Sequence, residues 1–543
     1  MGHSQQVTDI YAGQSVFITG ASGFLGKVCV NFYERALNVK NLRWTGPLFD
    51  RLRRFNPGIF SKLIPVGGDI VEEGLGLNQL DMQTICDEVS IVFHCAATVR
   101  FDEALRIAIE KNVLGTQRLV ALCHMIKNLL VLVHVSTAYA NCDKSEILEI
   151  IYPPPVPPNK LFEAIDWMDD VIIEAITPHL LGERPNTYTL TKALAEVRLS
   201  QVQLMEDAGR LPVIIIRPSI IGAMWQDPLP VDMMLSPLCL QMGTDCCGKG
   251  VLTNMCGSSS AKADIIPVDI VSNLMIVAAA HRTYTKYESI PVIHCCSGAL
   301  NPVQWHFIVN FIERFFRAYP LNECYRIPST HFHSSRFLFE FNFYMKHMGP
   351  AYLIDLLNAF WGPKIRLTRV YQKVLKLVET LHYFTARGWD FDSRGLLELW
   401  EMTSDEDKKI FNFDVRQLDW DSYLFDYLMG VKRYVVKDRL EELPKARRNL
   451  SWLKLYATVF NAMIWWISVR IFARQRSRRY RWFSGSIGFL LTYIWSNYNF
   501  RPSVRLKSLE EYKQKTIGIS YWIEHILSHL VDLKISPVDS LQS

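Results

Sequence analysis

Eleven residues near the N-terminus, Val16-Phe-Ile-Thr-Gly20-Ala-Ser-Gly23-Phe-Leu-Gly26, constrain this chain more than any other stretch. A short β-branched apolar run ends in a glycine, and two more glycines follow at intervals of three. Gly20 permits a tight strand-to-helix turn. Gly23 lets a dinucleotide pyrophosphate approach the backbone, and Gly26 lets the helix pack close to the strand. The helix that opens there offers unpaired N–H groups and a positive dipole end to phosphates. Thr19, Gly20, Gly23, Phe24, Leu25 and Gly26 are therefore candidate cofactor contacts, and a sheet with such a turn at its first strand is an α/β sheet.

The rest of the first 300 residues agrees with that. Ser15–Thr19, Leu63–Val66, Ile91–His94, Leu130–Val135 and Val213–Arg217 are continuously apolar runs, the pattern of parallel strands buried on both faces. Helical patterns at Gly26–Leu37, Ala104–Ile126 and Thr191–Asp207 separate them. The expectation is a doubly wound parallel sheet over residues 1–300. Tyr152-Pro-Pro-Pro-Val-Pro-Pro158 reads as an extended insertion, either beside a binding cleft or as a plain surface connector. From about Asn301 helical periodicity takes over, with phenylalanines at 307, 311, 315, 332, 337, 339, 341 and 343. Residues 301–442 are expected to form a mostly helical domain, its aromatic stripe serving as core or as the wall of an apolar tunnel.

Charge is distributed unevenly. The net charge is +5, yet Gly430–Arg481 alone holds 14 basic and 3 acidic residues. A nucleic-acid binder would be basic over its main domain, so no nucleic-acid partner is expected. Here the basic residues flank two uncharged apolar segments, Leu455–Val469 and Trp482–Phe500, with six arginines between them. That pattern predicts membrane-associated segments in 443–500, as one span, a re-entrant hairpin or a surface-lying helix, followed by a tail at 501–543. The arginines would face the cytosol, on an endoplasmic reticulum, peroxisome or lipid-droplet membrane. Membrane lipid is the expected partner there. Cysteines are scattered and no Cys/His group has zinc spacing, so no metal is expected.

Chemistry points to Tyr188-Thr-Leu-Thr-Lys192. At i and i+4 the phenol and the ammonium share a helix face. The ammonium is expected to lower the phenol's pKa, and to reach the ribose hydroxyls of a bound dinucleotide. Downstream of the strand Val135, Ser136 or Thr137 could hydrogen-bond a carbonyl oxygen.

These residues resemble the extended short-chain dehydrogenase/reductases, and within them the alcohol-forming fatty acyl-CoA reductases. The likeness runs through Gly20–Gly26, Gly68-Asp69-Ile70, Val92–Glu103, Asn112–Thr116, His134–Asn141, Pro185–Glu196, Ile216–Ser219 and Ile266–Asp269. It continues through Phe411–Val415, Asp419-Trp420 and Gly430–Tyr434. The resemblance implies NADPH as cofactor, a long-chain acyl-CoA as substrate, and two hydride transfers giving a primary alcohol and free CoA. It further implies that Tyr188, Lys192, Thr137 and Ser136 are catalytic, that Asp69 and Ile70 flank the adenine, that Ala96 and Ala97 line the dinucleotide, and that Pro218 lies near the nicotinamide. Two places depart from the pattern. After Val39–Trp44 about twenty residues are missing, including the arginine that meets the 2′-phosphate, for which Lys40 or Arg43 are the available substitutes. The Gly-Trp pair near Asp227–Met234 is also absent. The alternatives are a catalytically silent membrane-bound acyl-CoA or cofactor binder, and a reductase of another apolar carbonyl.

Overall fold

A computed structural model describes residues 6–36, 62–203, 210–226, 246–359, 366–472, 477–497 and 504–512. Both departures from the family pattern, with Lys40, Arg43 and Asp227–Met234, lie outside these residues. At the centre is a five-stranded parallel sheet. Its strands are β1 (Ser15–Thr19), β2 (Val89–His94), β3 (Val131–Val135), β4 (Val213–Pro218) and β5 (Val292–Cys295), adjacent in that order. β2, β3 and β4 are buried at every position, as their unbroken apolar runs require. On one face Val133, Val135, Ile214 and Ile216 pack in a core with residues of helices Phe24–Ala36 and Val268–Tyr284. On the other, Val92, Leu132, Val213 and Ile215 pack with Ile85, Leu119 and Leu199. Helices therefore cover both faces, the doubly wound arrangement. The register aligns Thr19 with His94 and His94 with His134, so three polar side chains stand in a row near the carboxyl ends of β1, β2 and β3.

One expected strand does not form. Leu63–Val66 pairs with nothing among the described residues, and β1 is the sheet edge there. Leu63 is buried in the core and Val66 packs against the second cluster, so the apolar run is satisfied by burial without a ladder. A parallel strand needs a neighbour to pair with, and residues 63–66 have none among the described residues.

The helical part is fastened to the sheet part. Phe311, Phe315, Phe413 and Phe425 share a core with Ile266 and Leu274. Two short parallel ladders also cross the division, Asp390–Phe391 on Glu146–Ile147 and His331–His333 on Asn254–Cys256. Most of the aromatic stripe is core: Phe311, Phe315, Phe316, Phe339 and Phe343 are buried, whereas Phe337 and Phe341 are exposed.

The expected membrane span is corrected by the structure. Among the described residues no helix is long and apolar enough to cross a membrane. Helix Leu443–Phe472 carries Lys445, Arg447, Arg448 and Lys454 in its first half. Helix Arg478–Asn497 begins with three arginines and is interrupted by Ser484, Gly485, Ser486 and Gly488. The two form a hairpin. The Trp465 indole donates to the Ser484 carbonyl at 2.9 Å, and the ring lies where a side chain at Gly488 would stand.

A buried ion pair fixes the helix that carries Tyr188. Arg217, at the end of β4, is fully buried and grips Glu196 with two bonds of 2.9 and 2.6 Å. It also donates to the carbonyls of Leu148 and Ile150 at 3.1 and 2.7 Å. Removing the cation strands a carboxylate and two carbonyls in the interior. Arg217→Met is expected to cost about 3–5 kcal/mol, read as a shift in the urea midpoint. A midpoint within error of the parent would show that the pair carries no stability.

Candidate active site

The glycine turn has the backbone that its sequence requires. Gly20 has φ +69°, and a Cβ there would meet the Ala96 backbone at 2.8 Å. A Cβ on Gly26 would overlap the Gly20 carbonyl, so the helix sits against the turn. Phe24 opens that helix and Leu25 is its second residue. The turn is held from below by a hydrogen-bond chain. Thr116 spends its hydroxyl proton on the Asn112 carbonyl at 2.7 Å, so at 3.0 Å it must accept from Nε2 of His94. Nδ1 of His94 is then an acceptor for the Thr19 hydroxyl at 2.8 Å, and Thr19 in turn accepts from the Ala96 N–H at 3.3 Å. Burial lowers the His94 pKa to about 3, keeping the ring neutral as this chain needs. The chain ties the turn to the loop of Ala96 and Ala97, both half-buried.

Tyr188 and Lys192 lie in the first turns of helix Thr187–Gln203. The two side chains do different things. The phenol lies against Phe101, ring centroids 5.8 Å apart, with the Thr137 hydroxyl close by. Burial raises its pKa to about 12, and only the Thr137 hydroxyl opposes that rise. The expected lowering by Lys192 is therefore not found. The ammonium donates instead to the Val135 carbonyl on β3 at 2.7 Å, and burial lowers its pKa to about 8.

The remaining candidates divide into those around this centre and those outside it. Thr137 also points at the Pro218 carbonyl, 3.5 Å away, so Thr137, Tyr188 and Pro218 adjoin. Among the described residues Ser136 is buried with no partner for its hydroxyl, and His134, also buried, has none for either ring nitrogen. Such unsatisfied groups near a buried ammonium suit a polar ligand better than a packed core. Together with the Gly20 cradle, they fit a dinucleotide laid from the turn toward Tyr188. Asp69 is exposed and accepts from the Val71 N–H at 3.0 Å, a turn-forming role, while Ile70 packs on Gly115.

Two aromatic groups escape the sequence reading. Phe101 and Phe384 stack at 5.5 Å, which brings helix Leu367–Ala386 of the C-terminal part to the phenol. Tyr139 meets Phe384, Trp389 and Phe391 edge-on, extending this wall. Phe101 lies in a quoted motif, but nothing local marks Phe384, because its role comes from a contact across the chain. Pro155 and Val156 of the proline-rich insertion line a cavity of about 290 Å³ with Asp143 and Arg184, whose side chains pair at 3.0 Å.

Comparison with known proteins agrees with this geometry. Two family models described as Male sterility protein match residues 34–275 and 346–438. Fatty acyl-CoA reductase 1 of Rattus norvegicus is 37% identical over 499 residues, covering 88% of this chain and 95% of the relative. The Homo sapiens protein of that name is equally similar, at 37% over 499 residues with the same two coverages. Fatty acyl-CoA reductase 2 of Mus musculus is 35% identical over 528 residues, covering 92% and 99%. A parallel sheet with a glycine turn at its first strand, a Tyr188-to-Lys192 helix beside it and an identity of this extent over nearly the whole length place the chain in the fatty acyl-CoA reductase family.

Proposed function

We propose that this chain reduces long-chain fatty acyl-CoA to primary fatty alcohol, using NADPH and releasing CoA, with Tyr188 as the proton donor. The single observation that carries the site assignment is the Tyr188 ring against Phe101, itself stacked on Phe384, with the Thr137 hydroxyl close by at the Pro218 carbonyl. It sets two hydroxyls at the edge of an apolar wall, the environment that a thioester on a hydrocarbon chain requires. NADPH bound along Gly20–Gly26, Ala96, Ala97 and Lys192 would supply the hydride.

Each residue then has a defined task. Thr137, with Ser136 beside it in sequence, orients the acyl carbonyl. Tyr188, kept neutral by burial, holds the proton that the carbonyl oxygen takes up as negative charge develops on it. The hemithioacetal so formed breaks its C–S bond, the thiol of CoA leaves, and an aldehyde remains. The same two hydroxyls hold that aldehyde for the second reduction. Lys192 binds ribose hydroxyls and keeps the cofactor in line. No covalent enzyme intermediate is required.

Location follows the same kind of argument. The 443–497 hairpin exposes Val459, Phe460, Met463, Ile467, Phe489 and Leu490 beside its arginines, which suits a helix pair lying on a membrane. We assign the chain to the cytosolic face of an endoplasmic reticulum, peroxisome or lipid-droplet membrane. A second reading, a silent cofactor binder, is favoured by the shortened segment after the first helix. Titration with NADPH and NADH, with and without palmitoyl-CoA, separates the two. Tight NADPH binding with consumption on adding acyl-CoA is expected. Binding without consumption would sink the catalytic reading, and a preference for NADH would sink the cofactor assignment.

A further inference from the structure

Residues Arg336–Phe343, Tyr344–Met348 and Gly349–Ala359 form one continuous helix whose middle turn is a π turn. Across that turn the Gly349 N–H bonds the Tyr344 carbonyl. Pro350, the next residue, has no N–H to continue the α-helical ladder. The consequence is one of phase. A π turn holds one residue more than an α turn, which delays everything after it by about 100°. With that delay Phe337, Phe341 and Met345 of the first half share a face with Leu353, Leu356 and Leu357 of the second. An uninterrupted α-helix would turn the second set roughly a quarter-turn away.

The aligned face is bare. Phe337, Phe341, Met345, Leu353 and Leu356 are 73, 57, 63, 59 and 60% exposed. The opposite face is anchored by buried Phe339, Phe343 and Met348, and by His347 within 2.8 Å of the Thr253 hydroxyl. A stripe of this size on a soluble surface marks an interaction site. Charge decides what it meets. From Arg336 to Lys376 the sequence has seven basic residues and two acidic ones. Both acids are engaged: Glu340 pairs with Arg336 at 2.8 Å, and Asp355 accepts from the Leu367 and Thr368 N–H groups. Lys346, Arg366, Arg369 and Lys373 are exposed. A second copy would set like charge against like charge, whereas an anionic bilayer complements both the apolar stripe and its basic surround.

We infer that helix 336–359 lies on an anionic lipid surface, as a contact separate from the 443–497 hairpin. It is coupled to the site through one element. Helix Leu367–Ala386 starts at the N–H groups that Asp355 caps, runs about 30 Å, and brings Phe384 to Phe101 beside the phenol. A lipid-docked helix 336–359 thus sets the bilayer at the far end of the rod that walls the acyl site.

The test is co-sedimentation of the full chain with phosphatidylcholine vesicles, with and without phosphatidylserine. Phe341→Asp with Leu356→Asp should weaken partitioning by at least about tenfold at an unchanged melting temperature. Lys346→Glu with Arg369→Glu should weaken the preference for phosphatidylserine, and in the hairpin-variant background should remove it. A hairpin variant, Phe460→Asp with Phe489→Asp, should leave a residual phosphatidylserine-dependent binding. The inference is overturned if the Phe341/Leu356 variant partitions like the parent. It is also overturned if the hairpin variant alone abolishes all binding, or if the parent is a dimer that those helix substitutions dissociate. Partitioning is read without turnover, so this result stands apart from the reductase assignment.

Discussion

Tyr188→Phe lowers kcat on acyl-CoA by about 10²–10⁴-fold and leaves NADPH affinity largely unchanged. On the proposed mechanism the phenol is the proton source at the reacting end of the site, while the proposed dinucleotide contacts lie in the glycine turn and at Lys192. Burial has raised this phenol to about 12, so at neutral pH it is fully protonated and ready to donate. The variant keeps the ring and its 5.8 Å packing on Phe101, so folding is preserved. Single-turnover kinetics with NADPH fluorescence measure the loss directly. A variant that turns over like the parent removes Tyr188 from the mechanism, and one that loses cofactor affinity instead makes it a binding residue.

Lys192→Met is expected to abolish turnover and to raise stability at pH 7. Lys192 is buried and its pKa falls from 10.5 to about 8. A base depressed in the folded state favours folding fully only above its unfolded pKa of 10.5. That contribution is lost as pH falls through about 8. At pH 7 the fold therefore carries most of the cost of a buried ammonium, about 3 kcal/mol. Methionine removes the charge at similar volume but leaves the Val135 carbonyl without its 2.7 Å donor, a loss of about 1–2 kcal/mol. A net gain of about 1–2 kcal/mol at pH 7 follows, shrinking toward and then below zero between pH 8 and 10.5. Denaturant melts at both ends of that range check it. A variant less stable than the parent at pH 7 contradicts the assigned cost. The same titration predicts that the parent's kcat/KM for NADPH declines above about pH 8, as the ammonium proposed to hold the ribose loses its proton.

Much of this was legible from residue order. The apolar runs at Ile91–His94, Leu130–Val135 and Val213–Arg217 could only be strands buried on both faces, and they are β2, β3 and β4. Gly20 and Gly26 marked the turn because no other residue tolerates that backbone contact. Leu63–Val66 misled because burial and strand pairing leave the same apolar signature, and only a neighbouring strand distinguishes them. The Tyr188–Lys192 spacing placed both groups on one helix but said nothing of depth. Burial, a tertiary property, raised the phenol and turned the ammonium toward Val135. Phe384 and the π turn at Tyr344–Met348 were invisible for a related reason. One acts through a contact with a distant loop, and the other shifts a periodicity that windowed reading takes to be constant. The membrane span failed on detail, since hydropathy of the two segments concealed the serines and glycines that let the helices pack on each other.

The most direct test of the central claim is stoichiometric. Purified chain is mixed with palmitoyl-CoA and NADPH, and NADPH oxidised, free thiol and lipid product are quantified together. Two NADPH consumed for each thiol released, with hexadecanol as the product, is the result expected. One NADPH per thiol with aldehyde accumulating, or NADPH consumption without any thiol, would contradict reduction of a thioester through to the alcohol at the Tyr188 site.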